Sequence, residues 1–264
     1  MSQAEIIVVT HKKYAMPKSK IYLPLQVGAK NSKLDFGYKK DSTGKNISEK
    51  NPAFCELTGL YWLWQNSNAD FKGLVHYRRH LTMKAGYIPN KNRLKFALSD
   101  TELNPILKNY DLILPKKRHY YIESLWSHYE HTLHIDPLIK TGEIIKEKYP
   151  EFYPEFEKLK TRRSAHMFNI LIAKSELFDE YASWLFDILF ELEQEMGQIS
   201  EDPFHARFYG RISELLFDVW LYTKYPNLKY KELRVLNIEK INCLKKGISF
   251  ILAKFIGKKY DKSF

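Results

Sequence analysis

Short apolar runs alternate with amphipathic stretches along this chain, the pattern of a sheet covered by helices. Ile6-Ile-Val-Val-Thr10 is β-branched without polar alternation, which predicts a strand buried on both faces and opening a central sheet. From Lys12 to Lys50 the chain turns polar and is punctuated by Pro17, Pro24, Gly28, Gly37 and Gly44, so a long functional loop is expected there. Asn51-Pro52 reads as a cap followed by proline at the first helical position, opening a helix through Gln65 with Phe54, Leu57, Tyr61 and Trp64 on one side. Gly73 to Tyr77 predicts a second strand, Tyr110 to Pro115 a third, and His166 to Ala173 a fourth. After Ser175 the inward stripe Phe178, Tyr181, Leu185, Leu189 and Leu192 marks a helix to about Met196. A further helix over Ala206 to Tyr222 carries Arg207, Arg211, Glu214 and Asp218 near one line, where Arg211 and Asp218 are expected to form a solvated charged face. The fold class that follows is α/β.

Composition adds constraints. With 264 residues and 44% apolar content the chain buries a real core, which argues against disorder. A formal charge of +11 implies an anionic partner, whether nucleic acid, acidic lipid or a phosphorylated small molecule. Cys55 and Cys243 lack the paired spacing of a structural zinc site. No apolar run reaches the roughly 18 residues needed to span a bilayer, and the N-terminus lacks a secretory signal, so a cytoplasmic protein is expected.

Chemistry concentrates at two predicted strand ends. His76-Tyr77-Arg78-Arg79-His80 places imidazoles and guanidinium forks together, a group suited to phosphate or carboxylate. Lys116-Lys-Arg-His-Tyr-Tyr121 is a second cationic and aromatic strand end, which makes His119 and Tyr120 candidates for binding. No Asp-X-Asp triplet occurs, and Asp100-Thr-Glu102 reads as a helix start. The last stretch, Ile238 to Tyr260, gathers Ile241, Leu244, Ile248, Ile251, Leu252, Phe255 and Ile256 on one helical face with lysines off its centre. It is expected to form a basic amphipathic helix that either meets an anionic membrane or packs on the body.

Val8-Val-Thr-His-Lys-Lys13, Tyr22-Leu-Pro-Leu-Gln-Val-Gly28, Asp41 to Asn51, Cys55-Glu-Leu-Thr-Gly-Leu-Tyr-Trp62 and Gly73 to Arg79 together resemble a family of bacterial capsule, exopolysaccharide and O-antigen glycosyltransferases that carries domain of unknown function 4422. His166-Met-Phe, Tyr181 to Phe186 and Arg207-Phe-Tyr-Gly-Arg-Ile-Ser-Glu214 extend the likeness into the second half. The resemblance implies a GT-A-like fold, with a Rossmann-like nucleotide half over residues 1–120, an acceptor half over 121–230 and the amphipathic segment over 231–264. It also implies transfer of a hexose, galactofuranose being one candidate, from a UDP-sugar to a lipid-linked oligosaccharide at the inner face of the membrane.

On that footing Thr10, His11, Gln26, Gly28, Asn46, Glu49, His76, Tyr77, Arg78, Arg79 and Arg207 are candidate donor contacts, and His119, Tyr120 and His166 candidate acceptor contacts. An inverting transfer needs a general base, for which Asp202 ranks first and Glu214 second; a retaining transfer needs none. Because His76-Tyr77-Arg78 stands where metal-dependent members of the fold carry Asp-X-Asp, cationic side chains are expected to replace the metal, with manganese or magnesium as the alternative. A non-catalytic or nucleic-acid-binding basic α/β protein is the other reading, but the cations form no single stripe and no nucleic-acid motif occurs.

Overall fold

The computed structural model describes residues 3–197, 202 and 205–239. In chain order the elements are β1 (Ala4–Thr10), β2 (Tyr22–Gln26), β3 (Lys39–Lys40), α1 (Asn51–Phe54), α2 (Leu57–Asn66), β4 (Phe71–His76), β5 (Arg79–Thr82), α3 (Asp100–Leu107), β6 (Leu112–Pro115), β7 (Arg118–His119), α4 (Leu125–Thr132), α5 (Asp136–Lys148), α6 (Tyr153–Glu157), β8 (Ser164–Ala165), β9 (Leu171–Lys174), α7 (Ser175–Met196), α8 (Phe208–Lys224) and β10 (Lys231–Asn237). An eight-stranded mixed sheet runs β3-β2-β1-β4-β5-β10-β6-β9, and a two-stranded sheet joins β7 to β8. β1 lies parallel to both β2 and β4, so Thr10 and His76 come to the same edge of the sheet, at the carboxyl ends of their strands. β4 is shared: its first half pairs antiparallel with β9, and its last residue, His76, pairs with Arg79 of β5.

The apolar β1 run is buried through Ile6, Ile7, Val8 and Val9, as its lack of alternation predicts, because helices cover one face and the β2–α3 side covers the other. Two features escape the periodicity. β2 contains Pro24, which strands tolerate at an edge; β3 pairs only with Leu25 and Gln26, so no outer neighbour asks Pro24 for a hydrogen bond. β10 is rich in charged residues, with only Leu233 and Leu236 buried, yet it sits inside the sheet, antiparallel to β5 and parallel to β6. The boundary drawn at residue 230 therefore falls just before a strand of the main body. The rest of the predicted amphipathic segment, residues 240–264, lies outside the described residues.

The helix expected from Asn51 to Gln65 is two helices. Cys55 breaks it with φ 54° and ψ −127°, a conformation that a non-glycine residue holds only under constraint. Asn51 supplies that constraint instead of capping: its Nδ2 donates to the Cys55 carbonyl at 2.6 Å and to Thr58 Oγ1 at 3.1 Å. α2 then lies so close to β1 that a Cβ on Gly59 would meet Val9 Cγ1 at 2.6 Å.

Asp41 ties these pieces together. Fully buried, its carboxylate accepts from the Gly28 N–H (2.9 Å), the Ala29 N–H (3.1 Å), Ser48 Oγ (2.5 Å) and Thr58 Oγ1 (2.7 Å). Four hydrogen bonds fill its acceptor sites, which lets a carboxylate stay in the interior. Three stretches far apart in sequence thus meet on one side chain.

α7 buries the stripe predicted for it against α2, α5 and α8. The charged line on α8 behaves differently from its solvated expectation. Asp218 is 0% exposed and accepts from both the His166 backbone N–H (3.2 Å) and His166 Nδ1 (2.5 Å), while Glu232 of β10 meets His166 Nε2 at 3.0 Å. Partners 52 and 66 residues away draw the carboxylates inward, and no helical-wheel reading contains them.

Candidate functional site

A cavity of about 880 Å³ opens where β1 and β4 end, between α1, the turn after β7, α4 and α8. Its size suits a nucleotide-sized ligand. Thr10 and His11 enter it from the end of β1, and His76, Tyr77, Arg78 and Arg79 from β4 and the turn into β5. The five residues expected on one extended strand end are folded into a hairpin whose turn is Tyr77-Arg78. That turn divides them: His76 to Arg79 line the cavity, whereas His80 is buried on the opposite side, edge-on to Tyr22 at 5.7 Å.

Five arginines line the cavity, Arg78, Arg79, Arg118, Arg207 and Arg211, against two carboxylates, Glu56 and Glu214. This excess gives a positive field focused by low-dielectric walls. Arg79 lies over the Phe168 ring at 4.6 Å and Arg118 over Tyr120 at 4.8 Å, so their planar heads are held by aromatic faces and remain forks for an oxyanion. Arg207 Nε contacts the Sγ of Cys55 at 2.9 Å. Burial pushes the Cys55 thiol up to about 11, with Glu56 adding to the effect, so it stays protonated near neutral pH.

Two of the cavity imidazoles are less basic than an ordinary histidine. Burial lowers the His11 pKa, with Arg207, Lys12 and Arg78 lowering it further. Burial also lowers that of His76, whose Nε2–H donates to the Phe168 carbonyl at 2.6 Å. That bond requires an unusual loop: Phe168 and Asn169 both have positive φ, 79° and 52°. Asn169 holds the loop by donating to Glu56 Oε1 (2.8 Å) and the Gly210 carbonyl (3.2 Å) and by accepting from Ser213 Oγ (3.0 Å).

Glu214 lines the cavity at 7% exposure. Burial raises its pKa above the ordinary glutamate value; Arg211, Arg118 and Arg79 pull against the shift and Glu56 adds to it. The result is a carboxylate of increased basicity facing a cationic chamber. Opposite in sequence, His128 reaches the cavity from α4, its Nδ1 against Glu123 Oε2 at 3.1 Å, and burial drops its pKa to about 4. Among the described residues no three His, Cys, Asp or Glu side chains converge to hold a metal ion.

Of the residues singled out from sequence, Thr10, His11, His76, Tyr77, Arg78, Arg79, Arg207, His119, Tyr120 and Glu214 line this cavity. Thr10 spends its hydroxyl on the following turn, donating to the Lys12 carbonyl at 2.5 Å. The others fall elsewhere. Gln26 pins the next loop through the Leu34 carbonyl (2.8 Å) and the Phe36 N–H (3.3 Å). Gly28, at φ 66°, gives its N–H to Asp41 and faces Asn51, leaving no room for a Cβ. Asn46 shapes the turn before Ser48, its Oδ1 accepting the Ser48 N–H at 3.3 Å, and Glu49 is exposed. Gln26, Gly28 and Asn46 serve the scaffold around Asp41. His166 is buried between Asp218 and Glu232, away from the lining. Asp202, with a side chain 52% exposed, approaches His205 at 3.6 Å and is not part of the lining.

Sequence reasoning passed over Glu56, Arg211, His128 and Phe168 as site residues. Glu56, Phe168 and Arg211 each lie inside a quoted motif, the Cys55 to Trp62, His166-Met-Phe and Arg207 to Glu214 stretches, whereas His128 lies in none and is brought in by folding.

Comparisons with known proteins bear on this geometry. A solved structure of WbbM, a bifunctional glycosyltransferase in its apo form, superposes with a TM-score of 0.83 at 30% sequence identity, over 90% of this chain and 46% of that one. The chain therefore spans less than half the length of that protein. The mixed sheet flanked by helices agrees with the expected GT-A-like architecture. No curated protein matches the chain. The model of the domain of unknown function DUF4422 matches residues 5–225, nearly the whole described body, and the chain belongs to that family.

Proposed function

We propose that this protein is a glycosyltransferase that moves a hexose from a UDP-sugar to a lipid-linked glycan in bacterial surface polysaccharide synthesis. The observation that carries the reading is the cavity at the carboxyl ends of β1 and β4, lined by five arginines of which Arg78, Arg79 and Arg118 lie over aromatic faces. A nucleoside diphosphate needs such a combination: guanidinium forks for the phosphates and flat walls for the base. Likeness to a bifunctional glycosyltransferase supports the same class of chemistry. Galactofuranose is one candidate sugar among galactose and glucose types.

In this reading Arg78, Arg79 and Arg207 neutralise charge on the leaving diphosphate, with Arg118 beside them, and take the place that a divalent cation holds in Asp-X-Asp members of the fold. Glu214, more basic than an ordinary glutamate, accepts the proton of the attacking hydroxyl in an inverting transfer. Its position in the lining places it ahead of Asp202 for that role.

Membrane attachment belongs to the same proposal. No helix among the described residues is long and apolar enough to cross a membrane. The loop after β5 exposes Met83 and Tyr87 among Lys84, Lys91, Arg93 and Lys95, and it packs Ile88 and Phe96 beside Ile238. This loop is a basic flank with apolar tips, suited to anionic lipid at the inner face of the cell membrane.

The test is release of UDP from a panel of UDP-hexoses by the full chain, with and without excess EDTA, beside thermal shifts with UDP, GDP, CMP and dTDP sugars. UDP donors are expected to stabilise and to turn over in EDTA. Failure to bind or hydrolyse any donor removes the glycosyltransferase reading, whereas activity lost to EDTA and restored by manganese removes only the substitution of arginine for metal.

A further inference from the structure

Tyr121 leaves 79% of its surface exposed at the edge of the cavity. Its backbone has φ 36°, a region that a bulky L-residue occupies only when its surroundings impose it. The surroundings are identifiable. Tyr120, on one side, is buried beneath Arg118 and gives its N–H to the Arg163 carbonyl at 2.8 Å. Its own carbonyl accepts the N–H groups of Ile122 and Glu123, closing a tight turn around residue 121. Glu123, on the other side, is buried and receives Nδ1 of His128 (3.1 Å) and of His131 (2.8 Å). Arg163 Nη1 donates to the Tyr121 carbonyl at 3.0 Å. The turn is stapled at every residue except the phenol ring, which is held outward. The His119 ring is stacked with it, centroids 5.9 Å apart and planes 29° from one another, so the imidazole backs the phenol in a stacked step.

We infer that the step made by His119 and Tyr121 is the binding platform for a sugar ring of the acceptor glycan. A pyranose or furanose ring presents a face of C–H bonds that packs on an aromatic plane, while its hydroxyls reach donors at the rim, here the imidazole of His119 and the guanidinium of Arg118. The place of the step decides between substrates. A nucleotide donor is matched by the enclosed part of the cavity with its arginines, but a glycan chain has to leave through the mouth, and an exposed aromatic surface there meets a sugar set back from the reacting end. The pre-imposed backbone means that little ordering remains to oppose binding. This assignment rests on the glycosyltransferase reading for the word acceptor, not for the existence of a sugar site.

The experiment is saturation-transfer NMR on the full chain with octyl β-galactoside, octyl β-glucoside and the corresponding disaccharide glycosides, in the presence of UDP, for wild type, Tyr121→Ala, Tyr121→Trp and His119→Ala. Exposure of the ring makes all three variants compatible with folding, and equal thermal midpoints check this. Wild type and Tyr121→Trp are expected to bind a disaccharide glycoside, Tyr121→Ala to bind about tenfold more weakly, and the UDP-induced thermal shift to be the same in all. Equal glycoside binding by Tyr121→Ala and wild type overturns the platform, as does absence of binding by wild type to every glycoside. Loss of the UDP shift in Tyr121→Ala overturns the acceptor assignment by giving the residue to the donor. If wild type neither binds nor hydrolyses any UDP-sugar while glycoside binding still depends on Tyr121, the sugar platform stands and the glycosyltransferase reading falls.

Discussion

Replacing Asp41 with asparagine changes one atom of the hub and is predicted to destabilise the protein by about 4 kcal/mol. Oδ2 accepts from the Gly28 N–H and Thr58 Oγ1, and Oδ1 from the Ala29 N–H and Ser48 Oγ. Whichever oxygen becomes an amide, that NH₂ faces one backbone N–H that cannot rotate away, and a buried unpaired donor costs roughly 1–3 kcal/mol. The hydroxyl on the same side can turn to accept from the amide, and Thr58 then has its own proton free for the Cys55 carbonyl at 3.1 Å, which limits the loss to the backbone N–H. The remaining bonds fall from charge-assisted to neutral strength, a loss of about 1 kcal/mol each. Removal of a buried charge offsets part of this by lowering the desolvation penalty. Urea titration followed by tryptophan fluorescence, on Asp41→Asn beside Ser48→Ala and Thr58→Val, measures the result against a total stability on the order of 5–15 kcal/mol. Because Asp41 does not line the cavity, the folded fraction should still bind nucleotide. A loss below about 1 kcal/mol, or a folded Asp41→Asn protein that no longer binds UDP, would refute the assignment of this motif to the scaffold.

Four further outcomes are expected. Glu214→Gln should lower transfer severely; in wild type the rate should rise with pH through a carboxyl value above the ordinary 4.5, and a profile flat from pH 4 to 8 would count against Glu214 as base. The same raised value means that the Glu214 contribution to stability is present below pH 4.5 and lost as pH rises through the folded value, so Glu214→Gln should gain stability relative to wild type at pH 8, by thermal denaturation. His80, held down to about 4 by burial, is neutral in the fold while the unfolded chain protonates below 6.5, so stability should fall by about 3 kcal/mol between pH 6.5 and 4, and His80→Phe should remove that part of the acid loss. Arg79→Met should weaken UDP binding by roughly 10- to 100-fold by calorimetry, and unchanged affinity would exclude Arg79 from the phosphate site.

The family motifs acquire distinct physical meanings once folded. Tyr22 to Gly28, Asp41 to Asn51 and Thr58 within Cys55 to Trp62 converge largely on Asp41, so Gln26, Gly28 and Asn46 make scaffold bonds outside the cavity lining, and Glu49 is exposed. By contrast His11, the His76 to Arg79 turn, Glu56 and the Arg207 to Glu214 stretch face the cavity. Spacing alone could not divide them. Scaffold and ligand contacts both use small polar residues at turns.

By itself the sequence determined what local interactions decide. The β1 run, the α7 stripe, the helix start at Asp100-Thr-Glu102 that opens α3, and the cationic strand end at His76 were legible because side-chain period, helix-start signals and β-branching act within a few residues. Tertiary structure decided everything that depends on distant partners. Asp218 is buried because His166 lies 52 residues away, Cys55 faces Arg207 across 152, and β10 enters the sheet because β5 and β6 leave a gap whose hydrogen bonds only another strand can fill. Charge on a helix line is neutral information until its partners are known. Desolvation makes a buried carboxylate costly unless paired, and the pairing is made by chain topology, which periodicity does not encode.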